Sequence, residues 1–269
     1  MVSWGQNERP GGAKGAGMPL IEQLSLGESR IIALCGAGGK TSLLYALGRE
    51  WAIQKERVAL TTSTHIRRTV PDGCCLWDRP DKGDLLSIWR AGFVPVAGRP
   101  TAAGKLQGPS EDMWAILRRT ADRIVVEADG AAMHPVKYPA VWEPVIPQYT
   151  DKVLALCGLS ALDRPLGEVC HRAELALEKG VLADGPLTEA GLAALLIRGY
   201  GRYDPLYVLN QADDGAAYAR GEAIAARLAG RANSFPSKQN SFILSAPFHL
   251  HRILQCLIPY ILCFFAAIY

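Results

Sequence analysis

The run Gly36-Ala37-Gly38-Gly39-Lys40-Thr41-Ser42 constrains this chain more than any other stretch of it. An apolar segment, Arg30 to Cys35, leads into the run. Leu43, Leu44, Leu47 and Trp51 follow it at helical spacing, up to Ile53. Strand, glycine turn and helix in that order form the unit from which parallel sheets are built. Glycines let such a turn approach a ligand with no Cβ in the way. The inward-facing N–H groups and the positive end of the helix dipole suit a chain of phosphates. On this reading Gly36, Ala37, Gly38, Gly39 and Ser42 belong to the cradle, and Lys40 reaches the β and γ phosphates. The Thr41 hydroxyl then ligates Mg2+.

The loop is shorter than the common eight-residue form, which would need a glycine where Leu34 stands. Its pattern, GxxGKT, resembles the short loops of Mur-type ligases. Further strands are expected at 57–60, 93–97, 123–126, 152–157 and 206–209. Helices are expected at 85–90, at 109–120 with Ser110 as N-cap, at 188–198 with Gly199 as its stop, and at 216–228. A short helix over 20–26 would close at Gly27, and 71–92 is otherwise turn-rich. Apolar strands alternating with amphipathic helices imply an α/β fold, a mostly parallel sheet of the phosphate-loop (P-loop) NTPase kind with helices on both faces.

Two other strand ends carry chemistry. Ile124-Val125-Val126 runs into Glu127-Ala128-Asp129-Gly130, where the carboxylates are two residues apart and face one side of an extended segment. Glu127 and Asp129 are therefore the candidate catalytic pair, one orienting a water and the other, Asp129, joining Thr41 at the metal. Leu206 to Leu209 runs into Asn210-Gln211-Ala212-Asp213, which resembles the NKxD segment of GTP-binding proteins with Gln211 in place of lysine. There the Asp213 carboxylate would accept two hydrogen bonds that only guanine supplies. Thr62, within Thr61-Thr62-Ser63-Thr64, would line the γ phosphate or a second substrate. Lys137 follows the acidic segment closely enough to face the same site. Arg172 would add charge to a transition state, and His65 and His171 are weaker candidates. Cys35 reads as a small buried strand residue.

Composition narrows the classes. With 29 basic and 26 acidic residues the charge is too balanced for a nucleic-acid binder. Seven cysteines without a CxxC pair argue against a disulfide framework and for a reducing, cytoplasmic setting. The averages hide a break, however. Five of the six phenylalanines lie at or after Phe235, and no charged residue follows Arg252. The chain thus divides into a flexible start over 1–18, a nucleotide-binding domain over 19–232 and an atypical apolar tail over 233–269. Three readings of the tail stay open: a membrane contact, which is not favoured because Pro259 interrupts a short stretch; a buried helix or edge strand; and a shifted reading frame.

The combination resembles the YqeC family. The residues that carry the likeness are GAGGKTS at 36–42, TTST at 61–64, EADGA at 127–131 and PVKYPAVWEPVIP at 135–147, with CGLSALDRPLGE at 157–168, HRAE at 171–174 and LNQAD at 209–213. The resemblance implies an accessory protein in selenium or molybdenum cofactor maturation, partnered by a molybdenum hydroxylase or its maturation factors. It implies ATP or GTP with Mg2+ as ligands, held by the residues named above. Two alternatives remain: a Mur-like ATP-dependent ligase or small-molecule kinase, and a nucleotide-binding switch without significant turnover.

Overall fold

The computed structural model describes residues 18–229 and a strand at 241–245. The expected flexible start, the domain boundary near 232 and most of the apolar tail, including the stretch from Ile253, lie outside the described residues.

Eight strands make one parallel sheet: β1 Ile31–Gly36, β2 Val58–Thr62, β3 Cys74–Trp77, β4 Val94–Ala97, β5 Arg123–Glu127, β6 Lys152–Gly158, β7 Leu206–Ala212 and β8 Ser241–Ser245. Their order across the sheet is β8-β7-β6-β1-β5-β2-β4-β3. The expected α/β architecture is present, with β1 at the centre between β6 and β5.

Unbroken apolar runs such as Ile31-Ile32-Ala33-Leu34-Cys35 suit strands covered on both faces, and every residue of β1 is buried. Alternation then assigns the faces. Ile32 and Leu34 pack with Leu43, Leu44, Leu47 and Trp51 of helix α1, Lys40–Ile53. Ala33 and Cys35 turn the other way, into a cluster with Leu192, Leu195 and Leu196. Ile31 joins Met113 and Leu117 on that same far face.

The helices begin where side-chain oxygens can cap them. Asp81 accepts from Asp84 N–H at 3.0 Å and starts α2, Lys82–Arg90. Ser110, the expected cap, accepts from Met113 N–H at 3.3 Å and starts α3, Glu111–Thr120. Thr188 accepts from Gly191 N–H at 3.1 Å and starts α4, Glu189–Tyr200. Helix α5 spans Gly215–Ala229 and packs beside α4.

Three expectations need correction. Gly199 does not stop a helix. It lies inside α4, where a Cβ would sit 2.8 Å from Pro139 Cδ, so its role is close packing. The short N-terminal helix ends at Gln23, well before Gly27, because Ser25 turns the chain at φ +52°. The turn-rich stretch contains β3, whose Trp77 is fully buried. Four residues, Cys-Cys-Leu-Trp, are too few to show a period. Ser241–Ser245, inside the apolar tail, pairs in parallel with β7 at the sheet edge, in line with the edge-strand reading of that segment. A three-stranded antiparallel ribbon of His65–Arg67, Lys105–Gln107 and Arg99–Pro100 stands beyond the end of β2. Among the described residues no helix is long and apolar enough to cross a membrane.

Candidate functional site

Parallel strands all end on one edge, and ligands bind α/β sheets in the crevice outside those ends. Here that edge gathers Gly36 of β1, Thr62 of β2, Glu127 of β5, Gly158 of β6 and Asn210 of β7.

The glycine run is a tight turn from β1 into α1. Gly36, Gly38 and Gly39 have φ of +90°, +71° and +120°, values that L side chains rarely adopt. Space forbids a side chain as firmly. A Cβ on Gly38 would lie 2.3 Å from Gly158 N and 2.7 Å from Pro135 O. The loop is pinned on two sides. Ala37 N–H donates to Leu156 O at 2.9 Å, and the Asn210 side-chain amide donates to Gly38 O at 2.7 Å. A backbone irregularity in β7 sets up the second pin. Register shifts between Leu209 and Ala212 and Gln211 takes φ +63°, which aims Asn210 at the loop.

Lys40 opens α1 and is buried. Its ammonium donates to Gly36 O and lies 3.3 Å from Asp129 Oδ1. Asp129 is fully buried. Its Oδ2 accepts from Gly36 N–H at 3.0 Å and has Lys137 Nζ at 3.5 Å. Its Oδ1 has the Lys40 charge nearby but no hydrogen bond of good geometry. Next along α1, the Thr41 hydroxyl donates to Glu127 Oε2 at 2.8 Å. Burial is the main cause that holds the Glu127 carboxyl above its ordinary value of 4.5, against the pull of Lys40.

Lys137 links this pair of carboxylates to a third. Its side chain has no solvent exposure, and its ammonium lies 2.8 Å from Glu143 Oε2 and donates to Gly130 O. Glu143 also pairs with Arg172, whose guanidinium lies over the Trp142 ring. Burial pushes the Glu143 carboxyl up, and hydrogen bonds from Lys137 and Arg172 outweigh it, so the net shift is downward.

The structure gathers Gly36, Ala37, Gly38, Gly39, Lys40, Thr41, Ser42, Thr62, Glu127, Asp129 and Asn210 at one end of the sheet. It joins Thr41 to Glu127, whereas Asp129 faces the two lysines. Thr62 uses its hydroxyl to tie β2 to β5, donating to Glu127 O at 2.9 Å. Asp213 is exposed just past β7, and Asn210 serves the loop backbone. Cys35 is fully buried, and burial holds its thiol well above the ordinary range. His171 stacks with His134 at 5.8 Å, beside Lys137 and Arg172, while His65 sits on the antiparallel ribbon. Sequence reasoning assigned Glu143 no chemistry. Its one signal was its place in PVKYPAVWEPVIP, a run that carries the family likeness without assigning this acid a role.

The sequence profile of one family, described as YqeC protein, matches residues 32–174. The YqeC protein of Escherichia coli (strain K12) is 32% identical over 172 residues, covering 62% of this chain and 67% of that protein. The matched span holds the glycine loop, Glu127, Asp129, Lys137, Glu143 and Arg172, and Asn210 lies beyond it. On the strength of that match across its central strands and buried charges, the chain belongs to the YqeC family.

Proposed function

We propose that this chain binds a nucleoside triphosphate with Mg2+ at the glycine loop, hydrolyses it, and acts as an accessory NTPase in the cytoplasm. One observation carries the reading. Three glycines at positive φ form a cradle that any Cβ would obstruct, and a buried lysine opens the helix behind it.

The buried charges fit a phosphate chain. Lys40 is already out of water, so exchanging the Asp129 carboxylate for a phosphate oxygen adds little desolvation cost. Asp129 keeps Lys137 and Gly36 N–H as partners after that exchange. The residues also fit Mg2+. Thr41 and Glu127 are adjoining hard oxygen donors, and Mg2+ commonly takes one or two protein oxygens with phosphate and water for the rest. Bound there, Mg2+ would neutralise phosphate charge. On this reading Glu127, beside Thr41, is the metal-side carboxylate in place of Asp129, and Asp129 positions the two lysines.

Base choice between ATP and GTP would fall to Asp213. The Asn210 amide is committed to Gly38, which leaves Asp213 as the carboxylate available to guanine. The setting we infer, maturation of a selenium- or molybdenum-dependent enzyme, rests on family membership alone.

The test is a titration with ATP and GTP, each with Mg2+ and with chelator, following phosphate release in the same samples. The reading expects Mg2+-enhanced binding of at least one nucleotide. Asp213→Ala should abolish any preference for GTP. Failure of both nucleotides to bind at about millimolar concentration would remove the proposal.

A further inference from the structure

A second polar cleft opens one strand away from the metal-side carboxylate. Thr62 of β2 is the register partner of Glu127 of β5, and neighbouring strands lie about 4.8 Å apart. Beyond Thr62 the chain turns into the antiparallel ribbon, and the space between ribbon, strand end and α3 is a cleft of about 310 Å³. That volume lies at the small end of ligand sites.

The ribbon's register decides what the cleft presents. His65 is directly opposite Gln107, and Gln107 is directly opposite Arg99. Residues opposite one another across antiparallel strands share a face. An imidazole, a carboxamide and a guanidinium therefore stand in one row, and all three line the cleft. Arg99 is oriented as well as charged. Its Nε–H donates to Gly108 O at 3.0 Å, which fixes the guanidinium plane and leaves the terminal nitrogens for a ligand. Thr64 adds a hydroxyl from the strand side, and Trp114 of α3 adds an aromatic wall. Among the described residues lining the cleft there is no Asp or Glu, and Glu111 and Asp112 begin α3 outside that lining. A row of donors with a fixed guanidinium and no opposing acid is built for an oxyanion.

We infer that this cleft binds the second substrate, a small molecule bearing a carboxylate or phosphate group, beside the phosphate end of the nucleotide. Calling it second rests on reading the glycine loop as the nucleotide site. The anion-binding claim stands on the cleft itself.

The experiment is calorimetric titration of the full chain with citrate, with glycerol 3-phosphate and with choline as a cationic control. Wild-type protein should bind citrate or glycerol 3-phosphate with a Kd of about 1 mM or tighter and should ignore choline. Whichever anion binds says whether carboxylate or phosphate is read. Arg99→Ala should weaken that binding at least about tenfold, and Arg99→Lys should recover part of it. Arg99 is exposed, so neither change threatens folding. The inference is overturned if neither anion binds with a Kd of about 1 mM or tighter, or if Arg99→Ala binds as wild type does. ATP and GTP binding is read separately on wild-type protein. Arg99-dependent anion binding without nucleotide binding would sink the nucleotide reading and leave the cleft, and the reverse result would do the opposite.

Discussion

Replacing Lys137 by methionine should be among the most damaging single changes outside the apolar core. Methionine keeps a flexible stem and removes the charge and its donors. In the native protein the Lys137 ammonium lies 2.8 Å from Glu143 and 3.5 Å from Asp129, and it donates to Gly130 O with no solvent exposure. The change would leave two buried carboxylates short of one cation. Breaking a buried ion pair from one side costs about 3–5 kcal/mol. Each carboxylate keeps other partners. Asp129 retains Lys40 at 3.3 Å and Gly36 N–H, and Glu143 retains Arg172 and Ala140 N–H at 3.2 Å. The expected cost therefore sits at the low end, about 3 kcal/mol. For a domain of this size that lowers Tm by roughly 6–12 °C.

Urea denaturation should show the midpoint falling with m unchanged. The pH dependence has a definite sign. Glu143 titrates below its ordinary 4.5 in the folded protein, so its stabilisation is present above that value and fades as pH falls. The gap between Lys137→Met and wild type should narrow as glutamate protonates. In a double-mutant cycle with Glu143→Gln the two losses should fall short of additive by about 1 kcal/mol or more. A Tm within about 2 °C of wild type, or strict additivity, would refute the reasoning that this network is a buried, mutually dependent unit.

Two further changes probe the loop and the metal side. Gly38→Ala forces a Cβ to 2.3 Å from Gly158 N at φ +71°, a strain of about 1–3 kcal/mol, so Tm should fall and nucleotide binding vanish. Wild-type affinity in that variant would contradict the cradle. Burial holds Glu127 above 4.5, so Mg2+-dependent nucleotide affinity should rise with pH through that raised value, as the carboxylate becomes free to bind the cation. Glu127→Gln should flatten the pH profile and cost about tenfold in affinity, whereas an unchanged profile would move the metal elsewhere.

Much of this was legible in the sequence because the governing signals are local. Gly36 to Thr41 announces itself through glycine's backbone freedom and the strand and helix on either side. The capping residues Ser110 and Thr188 sit at the helix starts they set. What stayed hidden depends on distant partners. Glu143 lies 14 residues beyond Asp129 in sequence, and only the fold brings Lys137 between them. Asn210 opens the NKxD-like segment, but its hold on Gly38 depends on a β7 irregularity that points its amide there and that no sequence pattern shows. Gly199 reads as a helix stop by type, and only the approach of Pro139 explains it. The row His65, Gln107 and Arg99 is scattered over 43 sequence positions and exists only through ribbon register.

The central claim is that the loop grips phosphate through Lys40, and calorimetric titration of wild type and Lys40→Ala with Mg·ATP and Mg·GTP tests it most directly. The account predicts that wild type binds at least one nucleotide with micromolar affinity and that the variant loses about 100-fold or more. No binding by wild type at about millimolar nucleotide, or equal affinity in the two proteins, would contradict it.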